Sequence, residues 1–297
     1  MFRAIVIFFL YSTLSQAASL TTIKVSLDWF LNPHHAPLII GIEKGFFREN
    51  GLDVQLIPVS GSLEGCIQAA AGHIDFAITN QPQWLIQKSR GLDLRFVFCL
   101  VPEPLEVLIS RFPIDQLKGK YIGHASSGCG FSCAVLKEVL GNQKIKLDEI
   151  ELIYTRQALV MAFLSGQVDA ITNAFRSYEL EDIKNHDNAI HVYPIEELGI
   201  PSFASMILVS GPHVSGASIE RFQKALKKSC HYIQSNSEDS WTCFKNYRPE
   251  LDTPANQKIW PLVAVLFKNA GLGVSLGQEE TLEKFLKKHE LLSPGRF

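Results

Sequence analysis

From residue 23 onward, short runs rich in β-branched and aromatic residues alternate with stretches whose apolar positions recur at helical spacing. Residues 23–27 read as a strand. Pro37 stands at a first helical position, and the helix it opens runs to Phe47 and stops at Gly51. Strand 52–58 follows, then a helix over 62–71 that Ser62 caps and Gly72 closes. Strand 74–78, a helix started by Pro82 and strand 94–101 complete a first block. That β-α-β-α order implies a parallel sheet covered by helices, and so an α/β fold class. Pro102-Glu103-Pro104 breaks the pattern. A second block then places strands at 105–110, 121–124, 150–154, 168–172 and 190–193, with helices ending at Leu140, Leu164 and Ile183. An extended run covers 204–210. The remainder is helical over 213–235, 237–247, 254–270 and 278–289.

The two blocks share a phrase. Gly72-His73-Ile74-Asp75-Phe76-Ala77 recurs about ninety residues later as Gly166-Gln167-Val168-Asp169-Ala170-Ile171. Each is a helix-stop glycine, a β-branched residue, an aspartate and an apolar strand. Two similar lobes facing a shared cleft would present strand ends to it, where ligands sit in open α/β sheets.

The first residues are patterned differently. Met1-Phe2-Arg3 is a short positive start, residues 4–14 are apolar but too few to span a bilayer, and Ser15-Gln16-Ala17 offers small residues for cleavage. Residues 1–17 are therefore expected to be a signal peptide, cleaved near Ala17, and the mature protein to be exported to the periplasm. A formal charge of -2 and the absence of any Lys/Arg-rich block argue against nucleic-acid binding. Export permits disulfides among Cys66, Cys99, Cys129, Cys133, Cys230 and Cys243. Cys230 and Cys243, on consecutive helices, are the best candidate pair; Cys129 and Cys133 share a helix face one turn apart; Cys66 and Cys99 read as buried free thiols. No histidine lies at ligand spacing beside either pair, so no metal centre is expected.

An exported two-lobed α/β protein is either a binder or a hydrolase. The chain has no G-x-S-x-G elbow, no H-E-x-x-H, no P-loop and no G-x-G-x-x-G after a strand, which leans against hydrolase and dehydrogenase chemistry. Four clusters stand at strand ends. Asp28-Trp29, followed by His34 and His35, offers an indole to stack on a flat ring and a carboxylate to accept its N–H bonds. His34 and His35 can orient a ligand, although lone loop histidines are more often surface residues. Asn80 carries a donor and an acceptor, and also suits a helix cap before Pro82. Ser126, Ser127 and Gly128 open a helix whose backbone N–H groups can hold an anion or a carbonyl oxygen, or simply be capped. Phe175 and Glu179, one helical turn apart, give an aromatic wall and a carboxylate suited to an amine-bearing ring.

Taken with Glu43-Lys44-Gly45-Phe46-Phe47-Arg48-Glu49-Asn50-Gly51-Leu52-Asp53-Val54, Leu117-Lys118-Gly119-Lys120, and Gly199-Ile200-Pro201-Ser202-Phe203, these clusters resemble substrate-binding proteins of ABC importers. Within those the sequence is most similar to the thiamine-pyrimidine group, which includes formyl-aminopyrimidine binding proteins and eukaryotic pyrimidine synthases. The resemblance implies a periplasmic-binding-protein type II fold of two lobes, each a mixed sheet flanked by helices, with crossovers near 102–114 and 201–209. Lobe 1 would comprise residues 18–105 plus 206–297, and lobe 2 residues 106–205. It also implies a monomer that closes on a small heteroaromatic ligand and delivers it to an ABC permease in the inner membrane. The synthases carry a lysine for pyridoxal phosphate where this chain has Asn80, and a histidine where it has Trp84, so no cofactor and no enzymatic role are expected. A tyrosine found in some binders is Phe203 here. A sulfonate, nitrate or other anion binder on the same fold is the alternative, and it predicts cationic side chains in the cleft.

Overall fold

The computed structural model describes residues 19–125, 130–187, 189–271 and 276–293. Ten strands form two five-stranded mixed sheets. The first contains β1 (Thr21–Ser26), β2 (Leu52–Ile57), β3 (Phe76–Thr79), β4 (Arg95–Val101) and β10 (Met206–Ser210). The second contains β5 (Glu106–Ser110), β6 (Tyr121–His124), β7 (Glu151–Tyr154), β8 (Ala170–Phe175) and β9 (His191–Pro194). Their orders, β2-β1-β3-β10-β4 and β7-β6-β8-β5-β9, follow one plan. Three strands in each run parallel, and the fourth, β10 or β5, is antiparallel to both its neighbours. The central strands are buried on both faces and read as continuous apolar runs, as helix-covered sheets require.

The repeated phrase has one structural job in both sheets. Gly72 and Gly166 are left-handed, at φ 81° and 76°, and end a helix where a side chain would strain the backbone. Asp75 then donates its N–H to Lys24 O and accepts from Lys24 N on its side chain, at 3.0 and 2.7 Å. Asp169 does the same to Tyr121, at 2.8 and 2.9 Å. Each aspartate thus pins a central strand, β3 or β8, to its parallel neighbour, β1 or β6.

The chain passes from the first sheet to the second through residues 102–105 and returns through 195–205. These crossovers are tied together: Leu105 N donates to Ser205 Oγ at 2.8 Å. The return crossover is also tied to the helix Gln81–Ser89, because Gln81 N donates to Ala204 O and Ala204 N to Gln81 Oε1, both at 3.0 Å. The C-terminal helix Leu276–Lys288 spans the sheets. Lys288 and His289 reach Glu138 of the second half at 2.6 and 3.1 Å, while Ser293 N donates to Ser89 Oγ of the first at 3.1 Å. Among the described residues no helix is long and apolar enough to cross a membrane.

Several local expectations are corrected. The helix opened by Pro37 is broken: Ala36–Glu43 and Phe46–Glu49 flank Gly45, whose φ of 74° no helix continues through. Ser62 is the first residue of its helix, and the cap position is Gly61, without a side-chain bond. The strand expected to end at Thr172 runs on to Phe175, so Phe175 and Glu179 do not share a helix face. Pairing with β5 extends it, across a register shift at Val107 and Ile109 opposite which Asn173 takes φ 61°. Cys230 and Cys243 are free, as are Cys66 and Cys99. Burial pushes the Cys66 and Cys99 thiols up to about 11 and 12, which leaves them unreactive. Cys133 is disulfide-bonded. The expected signal peptide over residues 1–17, and Cys129, Ser126, Ser127 and Gly128, lie outside the described residues.

Candidate functional site

A cavity of about 450 Å³ lies between the sheets. Its position follows from topology. The parallel strands end toward it, bringing Asp28 and Trp29 after β1, Asn80 after β3, Ala125 after β6, Tyr154 at the end of β7 and Phe175 at the end of β8. The antiparallel strands begin there, which adds Glu106 at the start of β5 and Ser205 and Met206 at the start of β10. Asp28, Trp29, His35, Asn80, Phe175 and Glu179 therefore all line one space.

On the first half, Asn32 organises a short 3-10 turn, Pro33–His35. Its backbone N–H donates to His35 Nδ1 at 3.1 Å, so the His35 proton sits on Nε2 and is donated to Asp28 Oδ1 at 2.9 Å. His35 is buried, and its part is to hold Asp28. Trp29 Nε1 is buried and has no hydrogen-bond partner, and its ring lies 5.6 Å from that of Phe30. Asn80 Oδ1 caps the helix Gln81–Ser89 by accepting from Gln83 N at 2.8 Å, and the residue also lines the cavity.

On the second half, Glu179 is the first residue of the helix Glu179–Lys184 and accepts from Phe175 N at 2.9 Å. That bond turns the chain from strand to helix and sets the carboxyl beside the aromatic ring. Burial pushes the Glu179 carboxyl up to about 7; the nearby charges of Asp182 and Asp28 act in the same sense, and the Phe175 N–H opposes them. Tyr178, Tyr154 and Asn173 complete this wall.

The sequence reading missed three features. His34 is buried, not a surface residue; its Nδ1 lies 3.1 Å from Asn32 Oδ1 and its Nε2 2.8 Å from Ser177 Oγ on the opposite half. Since Asn32 Oδ1 only accepts, Nδ1 carries the proton and Nε2 accepts from Ser177. Burial, helped by His35, drops the imidazole to about 3 and keeps it neutral. Ser177→Ala would leave Nε2 unpaired where the two halves meet, a loss of about 1 kcal/mol. Ligand dissociation measured by stopped flow should accelerate by roughly fivefold with little change in melting temperature, and an unchanged rate would mean that the His34–Ser177 bond does not help hold the halves together. Glu64 is the second missed feature: Ser60 N and Oγ donate to its Oε2 at 2.8 and 2.5 Å, and Gln68 donates to Oε1 at 2.8 Å. Glu106 is the third, a charge inside the apolar run EVLIS just after Pro102-Glu103-Pro104.

Among the described lining residues there are four carboxylates, Asp28, Glu64, Glu106 and Glu179, and no lysine or arginine. A site so furnished repels anions and favours ligands rich in N–H donors. No group of three or more His, Cys, Asp and Glu side chains able to hold a metal occurs among the described residues. Phe203, where some binders have tyrosine, is fully buried, packs 5.2 Å from the Phe131 ring and does not line the cavity.

The fold is that of the substrate-binding components of ABC importers. The alkanesulfonate-binding protein SsuA of Xanthomonas axonopodis pv. citri, solved with MOPS bound, matches with a TM-score of 0.71 at 16% identity, over 94% of this chain and 96% of that one. In sequence, residues 32–240 match the family model described as NMT1/THI5 like, and the chain belongs to that family. It is 31% identical over 279 residues to a Haemophilus influenzae protein named for thiamine biosynthesis, covering 91% of this chain and 88% of the relative. It is 24% identical over 256 residues to the formylaminopyrimidine-binding protein of Halalkalibacterium halodurans, covering 84% and 77%.

Proposed function

We propose that this chain is an exported, periplasmic solute-binding protein that captures a thiamine-precursor pyrimidine of the formylated aminomethyl type and passes it to an ABC permease. The observation that carries this reading is that Trp29 and Glu179, from opposite halves, line one cavity that has no lysine or arginine among its described lining residues. Trp29 stacks on the ring, with Phe175 on its other side, and Glu179 accepts from the exocyclic amine. Asp28, held by His35, and Asn80 are further polar partners. Ser126, Ser127 and Gly128, outside the described residues, remain proposed ligand partners. Stacking contributes on the order of 2 kcal/mol, and each directed hydrogen bond about 1 kcal/mol more. The names of the relatives support the choice of ligand, and the carboxylates weigh against the sulfonate or nitrate alternative, which asked for cationic side chains.

No bond is made or broken in this reading. The position that the resemblance matches to the synthases' lysine is Asn80, whose amide caps a helix and cannot form an imine. Calorimetric titration of the mature protein with the formylated pyrimidine, its free amine, thiamine and taurine tests the assignment. Heat is expected from the pyrimidines and none from taurine. Binding of the sulfonate alone would defeat the proposal.

A further inference from the structure

Glu179 has a counterpart. Glu106 opens β5, is 2% exposed, and lines the same cavity. Ser205 Oγ and Leu105 N both donate to its Oε2, at 2.5 and 2.9 Å, one from each crossover. Among the described residues no hydrogen bond or ion pair joins it to a cation: Arg176, whose charge is felt there, is paired with Glu196 at 2.6 Å. The other two acids of the cavity are already answered, Asp28 by His35 and Glu64 by Ser60 and Gln68. In the ladder Glu106 stands opposite Phe175, and Phe175 N is the group that holds Glu179. The two carboxyls therefore flank one aromatic residue, one from the neighbouring strand and one from the helix that follows. Burying a carboxyl among neutral partners costs stability, and an amide of the same shape would make the same two bonds more cheaply. Burial pushes Glu106 up to about 7, a mark of that cost. Proteins keep such groups where function needs them.

We propose that Glu106 is a specificity-determining residue that accepts an N–H of the aminomethyl arm of the ligand, while Glu179 holds the amine on the ring. This rests on the pyrimidine reading above. The ligand class it defines is a flat ring with two separate nitrogen donor groups, and an ammonium on the arm is gripped more tightly than a neutral amide because the carboxylate meets a full charge. The bond also places a ligand group one contact from both crossovers, through Ser205 and Leu105.

The test is a comparison of wild type and Glu106→Gln by calorimetry at pH 8, with the aminomethyl pyrimidine and with an analogue in which a methyl group replaces the arm. The variant should bind the aminomethyl compound at least tenfold more weakly and the methyl analogue within threefold of wild type. It should melt no lower than wild type, which separates a lost contact from a damaged fold. Equal losses for both compounds, or no loss for either, would overturn the role of Glu106 while leaving the pyrimidine reading intact. If wild type binds neither compound, this inference fails, and the pyrimidine reading then stands or falls on the titration with the formylated pyrimidine.

Discussion

Glu179→Gln should weaken binding of an aminopyrimidine by roughly tenfold to a hundredfold, because a charge-assisted hydrogen bond is worth about 1.5–3 kcal/mol and the amide keeps only a neutral one. The same carboxyl should give wild type a pH profile. Its ordinary value lies near 4.5, and burial lifts it to about 7. Above that pH it is ionised and accepts fully from the ring amine; below it a proton occupies one oxygen. Wild-type affinity should therefore fall as the pH is lowered from 8 to 6, and the variant should keep only the smaller part of that fall that Glu106, also lifted to about 7, supplies. Calorimetry at the two pH values reads both effects. A variant that binds as tightly as wild type would mean that Glu179 recognises the ring as a neutral group, and a sulfonate that binds the variant better would restore the anion alternative.

Phe222→Ala should be the most damaging single change to the fold. Phe222 lies on the helix Gly216–Ser235, is fully buried, and stacks against Phe76 of β3 at 4.4 Å and Phe47 at 5.0 Å. Removing the ring leaves a void under the central strand whose end carries Asn80. Truncations of this kind cost about 3–5 kcal/mol, which in a chain of this size lowers the melting temperature on the order of ten degrees. Thermal denaturation followed by circular dichroism would show it. A fall of only one or two degrees would mean that Phe47 and Phe76 close over the gap.

The strand and helix order was readable from residue patterns because helix-covered parallel strands are written as unbroken apolar runs between helix-stop glycines. Asp75 and Asp169 were visible as a repeat, although their hydrogen bonds to the neighbouring parallel strand were not. The candidate site was legible where it rests on parallel strands: Asp28, Trp29, Asn80 and Phe175 all follow from looking at strand ends. Glu106 was missed for the converse reason, since β5 is antiparallel and meets the cavity with its first residue, a direction that local pattern does not encode. Phe175 and Glu179 were paired correctly for the wrong geometry. Asn173 is a strong helix opener by composition, yet the ladder to β5 holds it and its neighbours in the strand. His34 shows the same limit: a histidine in a polar loop looks exposed until a serine 143 positions away is placed against it. Cys230 and Cys243 look suited to pairing along the sequence, and only the arrangement of their helices shows that they remain thiols.

The tail of the chain restricts how the halves can part. Besides the two crossovers, Lys288 and His289 are moored to Glu138 on the far side, and Ser293 to Ser89 on the near side. Two covalent straps and a third, ionic mooring leave a body few ways to swing. Any gaping of the mouth must pivot about that mooring or cast it off, so salt and the charge of Glu138 become levers on how wide the door stands, far from anything the guest touches.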